Sequence, residues 1–210
     1  MIKILISIGT RPEAIKMAPL IKELTINKKF KLSLCLTGQH KEMLYQVLNF
    51  FDIKPNFDLN LMKPNQDLAQ LTSKVLTNFT AVLDQVKPDI VLVHGDTTTC
   101  FASSLAAFYK QIPIGHVEAG LRTGEMNSPF PEEANRVLAG TLANIHFCPT
   151  KNAKDNLKIE NKDNEKIYVT GNTVIDALLM TKNIIHNDNK ILSKMKNKFK
   201  MLDANKKIIL

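Results

Sequence analysis

Three short runs place charged side chains directly after stretches rich in β-branched residues. Gly9-Thr10-Arg11-Pro12-Glu13 follows MIKILISI. His94-Gly95-Asp96-Thr97-Thr98-Thr99 ends DIVLV, and Glu118-Ala119-Gly120-Leu121-Arg122-Thr123 ends IPIGHV. In an open parallel sheet, ligands bind beyond the carboxyl ends of the strands. The three loops therefore bring Arg11, Asp96 and Glu118 to one edge, with Arg122 beside them. Glu132, opening the next helix, is expected to face the same cleft. A cation beside carboxylates suits acid–base chemistry on a phosphorylated substrate.

Each of these residues has a plainer use. Asp96, ahead of three threonines, reads equally as a helix cap. Glu132 and Glu133 follow Pro131 in a helix first turn, where acids complement the dipole. Arg136, four residues after Glu132, is placed for an i,i+4 ion pair. His94 and His116 sit at strand ends and read as hydrogen-bonded structural groups rather than ligands. Arginine usage carries its own signal, because Arg11, Arg122 and Arg136 stand against 25 lysines. Where lysine serves for generic positive charge, an arginine marks a need for a planar fork on phosphate or carboxylate.

Several chemistries are not signalled. Neither G-x-G-x-x-G nor G-x-x-x-x-G-K-[ST] follows the first strand, so no typical dinucleotide or P-loop site is indicated. The five histidines form no H-E-x-x-H. His116-Val117-Glu118 matches the H-x-E of zinc deaminases, but no P-C-x-x-C follows. No metal is expected.

The elements that must hold these loops alternate. Strands are expected at Ile2–Ile8, Lys31–Leu36, Asp89–Val93, Pro113–Val117, Ile145–Cys148 and Lys166–Val169. Helices are expected at Glu13–Leu24, Lys41–Phe51, Asp67–Val86 and Cys100–Tyr109. Further helices open at Pro131, follow Cys148, and cover Asn172–Ile185 and Lys190–Leu202. The clearest is 67–86, where Leu68, Leu71, Val75, Leu76, Phe79, Val82, Leu83 and Val86 share one face. Uniformly apolar strands between helices indicate a parallel sheet covered on both faces, a doubly wound Rossmann-like α/β fold. Lys206–Leu210 (KKIIL) reads as a new buried strand that opens a second domain.

Composition agrees with a folded chain of 210 residues, since 44% hydrophobic and 23% charged residues exclude wholesale disorder. No apolar run approaches the ~20 residues of a membrane span. Cys35, Cys100 and Cys148 are scattered, which points to a reducing cytoplasm. The net charge of +8 sits mostly in residues 150–210, which hold 13 Lys against 7 acids. With no aromatic ladder beside them, these lysines read as a solvated surface rather than a nucleic-acid site.

Six blocks in order are long enough to carry a family likeness: GTRPEAIKMAP (9–19), TGQHKEML (37–44), KPDIVLVHGDTTT (87–99), IPIGHVEAGLRTG (112–124), SPFPEEANR (128–136) and TGNTVIDAL (170–178). Together they resemble the non-hydrolysing UDP-N-acetylglucosamine 2-epimerases. Pro12-Glu13-Ala14 after the first G-T-R resembles that type rather than hydrolysing relatives.

The resemblance implies the N-terminal half of a two-domain GT-B-type fold. Residues 1–171 would form the sugar-side domain, 172–205 the crossover, and 206–210 the first strand of a C-terminal UDP-binding domain. It implies reversible epimerisation of UDP-GlcNAc to UDP-ManNAc by UDP elimination and re-addition, without a cofactor, for bacterial surface polysaccharide. Asp96, Glu118 and Glu132 would be the acid–base groups, and Arg11 and Lys16 would hold the diphosphate, with Asp96 and Glu118 also touching substrate. Gln39 and His40 match the segment that binds a second UDP-GlcNAc as activator. The expected partners are UDP-GlcNAc, UDP, and a homodimer mate or complementing C-terminal chain. Two other readings stay open: a GT-B glycosyltransferase, and a non-catalytic UDP-sugar-binding fragment.

Overall fold

A computed structural model describes residues 1–38, 41–61, 66–202 and 207. The activator pair Gln39 and His40, and the expected terminal strand apart from Lys207, lie outside the described residues. Among the described residues, seven strands form one all-parallel sheet: β1 (Ile2–Ile8), β2 (Phe30–Leu36), β3 (Phe57–Asp58), β4 (Ile90–His94), β5 (Ile114–Val117), β6 (Ile145–Cys148) and β7 (Ile167–Val169). Their order is β3-β2-β1-β4-β5-β6-β7. The winding therefore reverses between β1 and β4, the place where open α/β sheets leave a crevice.

Helices α1 (Arg11–Ile26), α2 (Lys41–Phe50), α3 (Leu68–Val86), α4 (Thr98–Tyr109), α5 (Glu132–Leu142), α6 (Lys151–Ile159), α7 (Thr173–Asn187) and α8 (Asn189–Lys198) fill the connections. Alternate strand residues bury opposite ways. Ile4, Ile6, Ile8 and Leu92 join Met17, Ile21, Leu44 and Leu48 on the α1–α2 face. Leu5, Val91 and Val93 join Val75, Phe79, Leu83 and Ala106 on the α3–α4 face. This is the doubly wound α/β fold that uniformly apolar strands predict. Helix α7 packs against α1 and lays Met180 and Ile184 on the first core. Helix α8 buries no residue, as its lysine-rich sequence implies.

Three details differ from expectation. β3 has two residues, too short for any periodicity to reveal. Leu68 of the α3 stripe is 42% exposed, because it is the helix's first residue and lies beyond the sheet's reach. Pro131 is the N-cap of α5 rather than its first helical residue.

Close packing at the sheet edge is set by small and hydroxylic residues. Helix α4 is buried through Thr98, Thr99, Cys100, Ala102, Ser103, Ser104, Ala106 and Ala107. Ser103 Oγ meets Ser7 Oγ of β1 at 2.8 Å, and Thr99 Oγ1 meets Thr37 Oγ1 beyond β2 at 2.8 Å. A Cβ on Gly9 would run into Thr99 Oγ1 and come within 2.8 Å of Thr37 Oγ1, so only glycine fits there.

Three histidines occupy adjacent strands at this edge. Val93 of β4 pairs His116 of β5, and His116 pairs His146 of β6. His94, His116 and His146 are each 3% exposed or less. Burial holds them below the usual 6.5, at about 3, 4 and 4 respectively. Between those values and 6.5 the unfolded chain binds more protons, so stability is full above 6.5 and is lost as pH falls. Buried Glu13 opposes this, because desolvation raises it from 4.5 to about 6 and the folded state holds its proton more tightly. Near pH 5 the three histidines gain protons on unfolding and Glu13 releases most of one. From these four groups the net uptake is about two, a slope of about 3 kcal/mol per pH unit, which the raised Asp96 carboxyl lowers somewhat. Urea unfolding at pH 7, 6 and 5 is expected to show a steep fall in stability toward pH 5, and a flat profile would contradict neutral buried histidines.

Candidate active site

The loops after β1, β4 and β5 meet around a cavity of about 270 Å³ lined by Thr10, Lys16, His94, Asp96, Thr97 and Glu118, among others. The turn after β1 is built by a capping box. Thr10 caps α1, and the Glu13 carboxylate accepts Gly9 N–H at 2.9 Å and Thr10 N–H at 2.6 Å. The other Glu13 oxygen accepts the Thr97 hydroxyl at 2.8 Å. Thr97 in turn caps α4 by accepting Cys100 N–H at 3.0 Å. Sequence reasoning did not single out Glu13, although T-x-x-E ahead of an apolar helix was the signal for it.

One turn along α1 from Glu13, Lys16 reaches across to Glu118. Its Nζ lies 2.7 Å from Oε1 and 2.6 Å from Oε2. Glu118 has φ +63°, a left-handed backbone rare for a non-glycine residue. His94 Nε2 stands 3.9 Å from Glu118 Oε2. The expectation that His116 is a structural group fits its geometry, since its Nε2–H donates to the Gly95 carbonyl at 2.7 Å. His94 departs from that expectation, because neither of its ring nitrogens has a hydrogen-bond partner among the described residues. Cys100, beside His116, is buried, and desolvation pushes its thiol well up, which leaves it unreactive.

Asp96 does not cap α4; Thr97 does, and Asp96 is left free for other contacts. Arg136 Nη2 holds Asp96 Oδ2 at 2.7 Å, while Asn135 Nδ2 donates to the Asp96 carbonyl at 3.0 Å. Burial raises the Asp96 carboxyl above its usual range. Arg136 pulls it back, Glu118 and Glu132 push it up, and Lys16 lowers it. The ion pair expected between Arg136 and Glu132 is replaced. Arg136 instead pairs through Nη2 with Asp96 and through Nε with Glu133 at 3.4 Å, and Nε also donates to the Glu132 backbone carbonyl, not to its carboxylate. Glu133, 1% exposed, also accepts the Thr123 and Gly124 N–H groups. Arg122 forks onto Glu160 at 2.6 and 2.9 Å, away from the cavity. Two of the three arginines thus sit on carboxylates.

Lys16, Asp96 and Glu118 share the cavity. Arg11, exposed at the start of α1, does not line it, although its neighbours Thr10 and Pro12 do. Half-buried Glu132 does not line it either, though its charge is felt at Asp96. Among the described residues, no group of three or more His, Cys, Asp or Glu side chains is placed to hold a metal ion. No helix among them is long and apolar enough to cross a membrane.

A parallel α/β sheet with a lysine–carboxylate pair and an arginine–carboxylate pair at its switch-point crevice is a Rossmann-like unit, and its structural neighbours are epimerases of the GT-B kind. Residues 22–208 match the family model for UDP-N-acetylglucosamine 2-epimerase. The chain is 53% identical, over 99% of its length and 55% of the relative's, to the UDP-N-acetylglucosamine 2-epimerase of Salmonella typhimurium. It superposes with a TM-score of 0.93 and 51% identity on the crystal structure of UDP-GlcNAc 2-epimerase from Neisseria meningitidis bound to UDP-GlcNAc. That match covers 98% of this chain and 56% of that one. A lipopolysaccharide outer core galactosyltransferase, at 15% identity and TM-score 0.60 over 82% of this chain and 46% of that one, shares the fold alone. The chain belongs to the UDP-N-acetylglucosamine 2-epimerase family and spans about half the length of the curated relatives it matches, their N-terminal half.

The Arg136 contacts generate a test. Arg136→Gln leaves Glu133 buried without its cation and is expected to lower stability by about 3 kcal/mol. It also removes the strongest influence holding Asp96 down, so Asp96 should titrate at higher pH than in the wild type. Urea unfolding and a carboxyl ¹³C titration read the two effects. An unmoved Asp96 would show that Arg136 does not control it.

Proposed function

We propose that this chain supplies the sugar-facing half of a site that interconverts UDP-GlcNAc and UDP-ManNAc by eliminating and re-adding UDP. The observation that carries the reading is the cavity where Lys16, Asp96 and Glu118 converge, in a chain half identical to curated epimerases along nearly its whole length. The C2 proton of the sugar is not acidic, so direct abstraction is unfavourable. Breaking the anomeric C–O bond needs positive charge at the diphosphate, a role for Lys16 and Arg11. Taking a proton from C2 on one face and returning one on the other needs more than one acid–base group, a role for Asp96, Glu118 and Glu132. Asp96, raised by burial, and Glu118, held by a lysine, are carboxyls in different environments, the usual means of making one an acid and another a base.

Residues 1–171 then form the sugar-side unit and 172–205 the crossover, whose first helix, α7, is anchored on α1. A complementing second half would hold uridine and close over the diphosphate. Three free, buried cysteines and a nucleotide-sugar substrate support a cytoplasmic setting for the reaction. In that compartment it would feed surface polysaccharide synthesis.

In a full-length family member, replacement at the positions of Asp96 by Asn or Glu118 by Gln is expected to lower turnover by about 10²–10⁴-fold. Solvent deuterium should enter the product at C2, and epimer formed without exchange would exclude elimination. Residues 1–210 alone should show no turnover, because orienting the leaving group and excluding water depend on two units closing together. Turnover within about tenfold of a full-length enzyme, about 1.4 kcal/mol on the barrier, would show that no second half is needed.

A further inference from the structure

Most buried polar groups at the sheet edge have partners. Glu13 has three donors, His116 has the Gly95 carbonyl, and Asp96 has Arg136. His94 has none. It ends β4, is 3% exposed, lines the cavity, and leaves both ring nitrogens unbonded. A buried polar group without a partner is costly, and such groups call for an explanation.

The nearest charge to His94 supplies one. Its Nε2 lies 3.9 Å from Glu118 Oε2, too far for a hydrogen bond. Lys16 Nζ holds that same oxygen at 2.6 Å. Lys16 engages both carboxylate oxygens and outcompetes a neutral N–H donor. Lys16 is also the part of the cluster free to leave, because its side chain is 25% exposed on a flexible stem. A shift of about 1 Å in the Glu118 carboxylate would bring Oε2 within hydrogen-bonding range of His94.

The geometry points to His94 as a positioning residue that takes hold of Glu118 when Lys16 turns to an anionic group of the ligand. The inference rests on reading the cavity as the seat of a diphosphate-bearing substrate. Without such a second donor, the carboxylate would lose its orientation at the moment Lys16 is drawn away. A neutral imidazole suits the task, since it offers an N–H without adding charge and without readily exchanging its proton. The groups facing this pair are Lys16 from α1, Asp96 after β4 and the neutral His116 ring on β5. Burial first, then the Lys16 charge, keep His94 neutral down to about pH 3.

Imidazole ¹H–¹⁵N NMR of the 210-residue chain tests this without any turnover assay. Lys16→Met frees Glu118. The His94 Nε2 proton should then move downfield and exchange with water roughly tenfold more slowly, equivalent to about 1.4 kcal/mol. Adding Glu118→Ala to Lys16→Met should return it to the wild-type value. Lys16→Gln serves as a second variant, and the amide spectrum shows that each is folded. An unmoved His94 signal in both folded Lys16 variants would overturn the assignment. UDP-GlcNAc at millimolar concentration should shift wild-type His94 in the same direction. If the Lys16 variants shift His94 and the ligand, shown to be bound by amide shifts at Thr10 and Thr97, does not, the diphosphate reading of the cavity fails while the role of His94 toward Glu118 stands.

Discussion

The buried carboxylate of Glu13 is the joint on which this edge of the molecule turns. One of its oxygens closes the turn from β1 into α1 by taking the Gly9 and Thr10 N–H groups. The other takes the hydroxyl of Thr97, which caps α4. Two strand-to-helix turns on neighbouring strands are thereby fixed to a single side chain, at the point where the sheet reverses its winding. Desolvation works against a charge there, and the raised carboxyl shows that burial outweighs the bonds. The positional gain follows from helix geometry. With Glu13 fixed, Lys16 falls one turn further along the same face of α1, over the cavity. With Thr97 fixed, Asp96 is held immediately before it.

Two carboxylates, each held by its own cation, then share one small cavity. Lys16 takes Glu118, and Arg136 takes Asp96 while leaning on Glu133. The two cations differ in kind. Arg136 is a fork spanning two carboxylates, 13% exposed and tied into the loop after β5 through Glu133. Lys16 is a mobile point charge, better solvated and easily turned to a new anion. Asp96 is therefore in the fixed position and Glu118 in the adjustable one. That asymmetry matches a reaction in which one group must keep its geometry while another responds to the ligand.

Much of this arrangement could be read in advance, for identifiable reasons. The strands Ile2–Ile8 and Ile145–Cys148 coincide with expectation residue for residue, and four others fall within one residue at each end. A strand buried on both faces is an unbroken apolar run with turn residues behind it. Placing Asp96 and Glu118 at one edge needs only the rule about strand ends. The partnerships at the site were harder to read. Helical spacing offered Glu132 to Arg136, but it could not see Asp96 arriving from β4. A run of threonines offered Asp96 as a cap, but which residue takes the extended N-cap backbone depends on where β4 stops. His94 looked like an ordinary strand-end histidine, and only the position of Glu118 on the next loop distinguishes it.

The backbone adds one more constraint. The turns after β4 and β5 each need a left-handed residue. After β4 that residue is Gly95, at φ +66°, which accepts it without strain. After β5 it is Glu118, at φ +63°. A glycine there would relieve a cost of roughly 1–3 kcal/mol. Folding alone therefore favours glycine at 118, yet the chain carries a carboxylate, aimed at a lysine across the crevice. Much of the ion-pair energy of Lys16 with Glu118 is offset by this strain, because a partly exposed pair is worth only about 1 kcal/mol. What the left-handed backbone secures is direction: it turns the side chain of the residue after β5 toward the switch-point cavity, where it can meet both Lys16 and His94. A residue that strains its own backbone for an interaction of little net stability fits the role proposed for Glu118 toward a ligand.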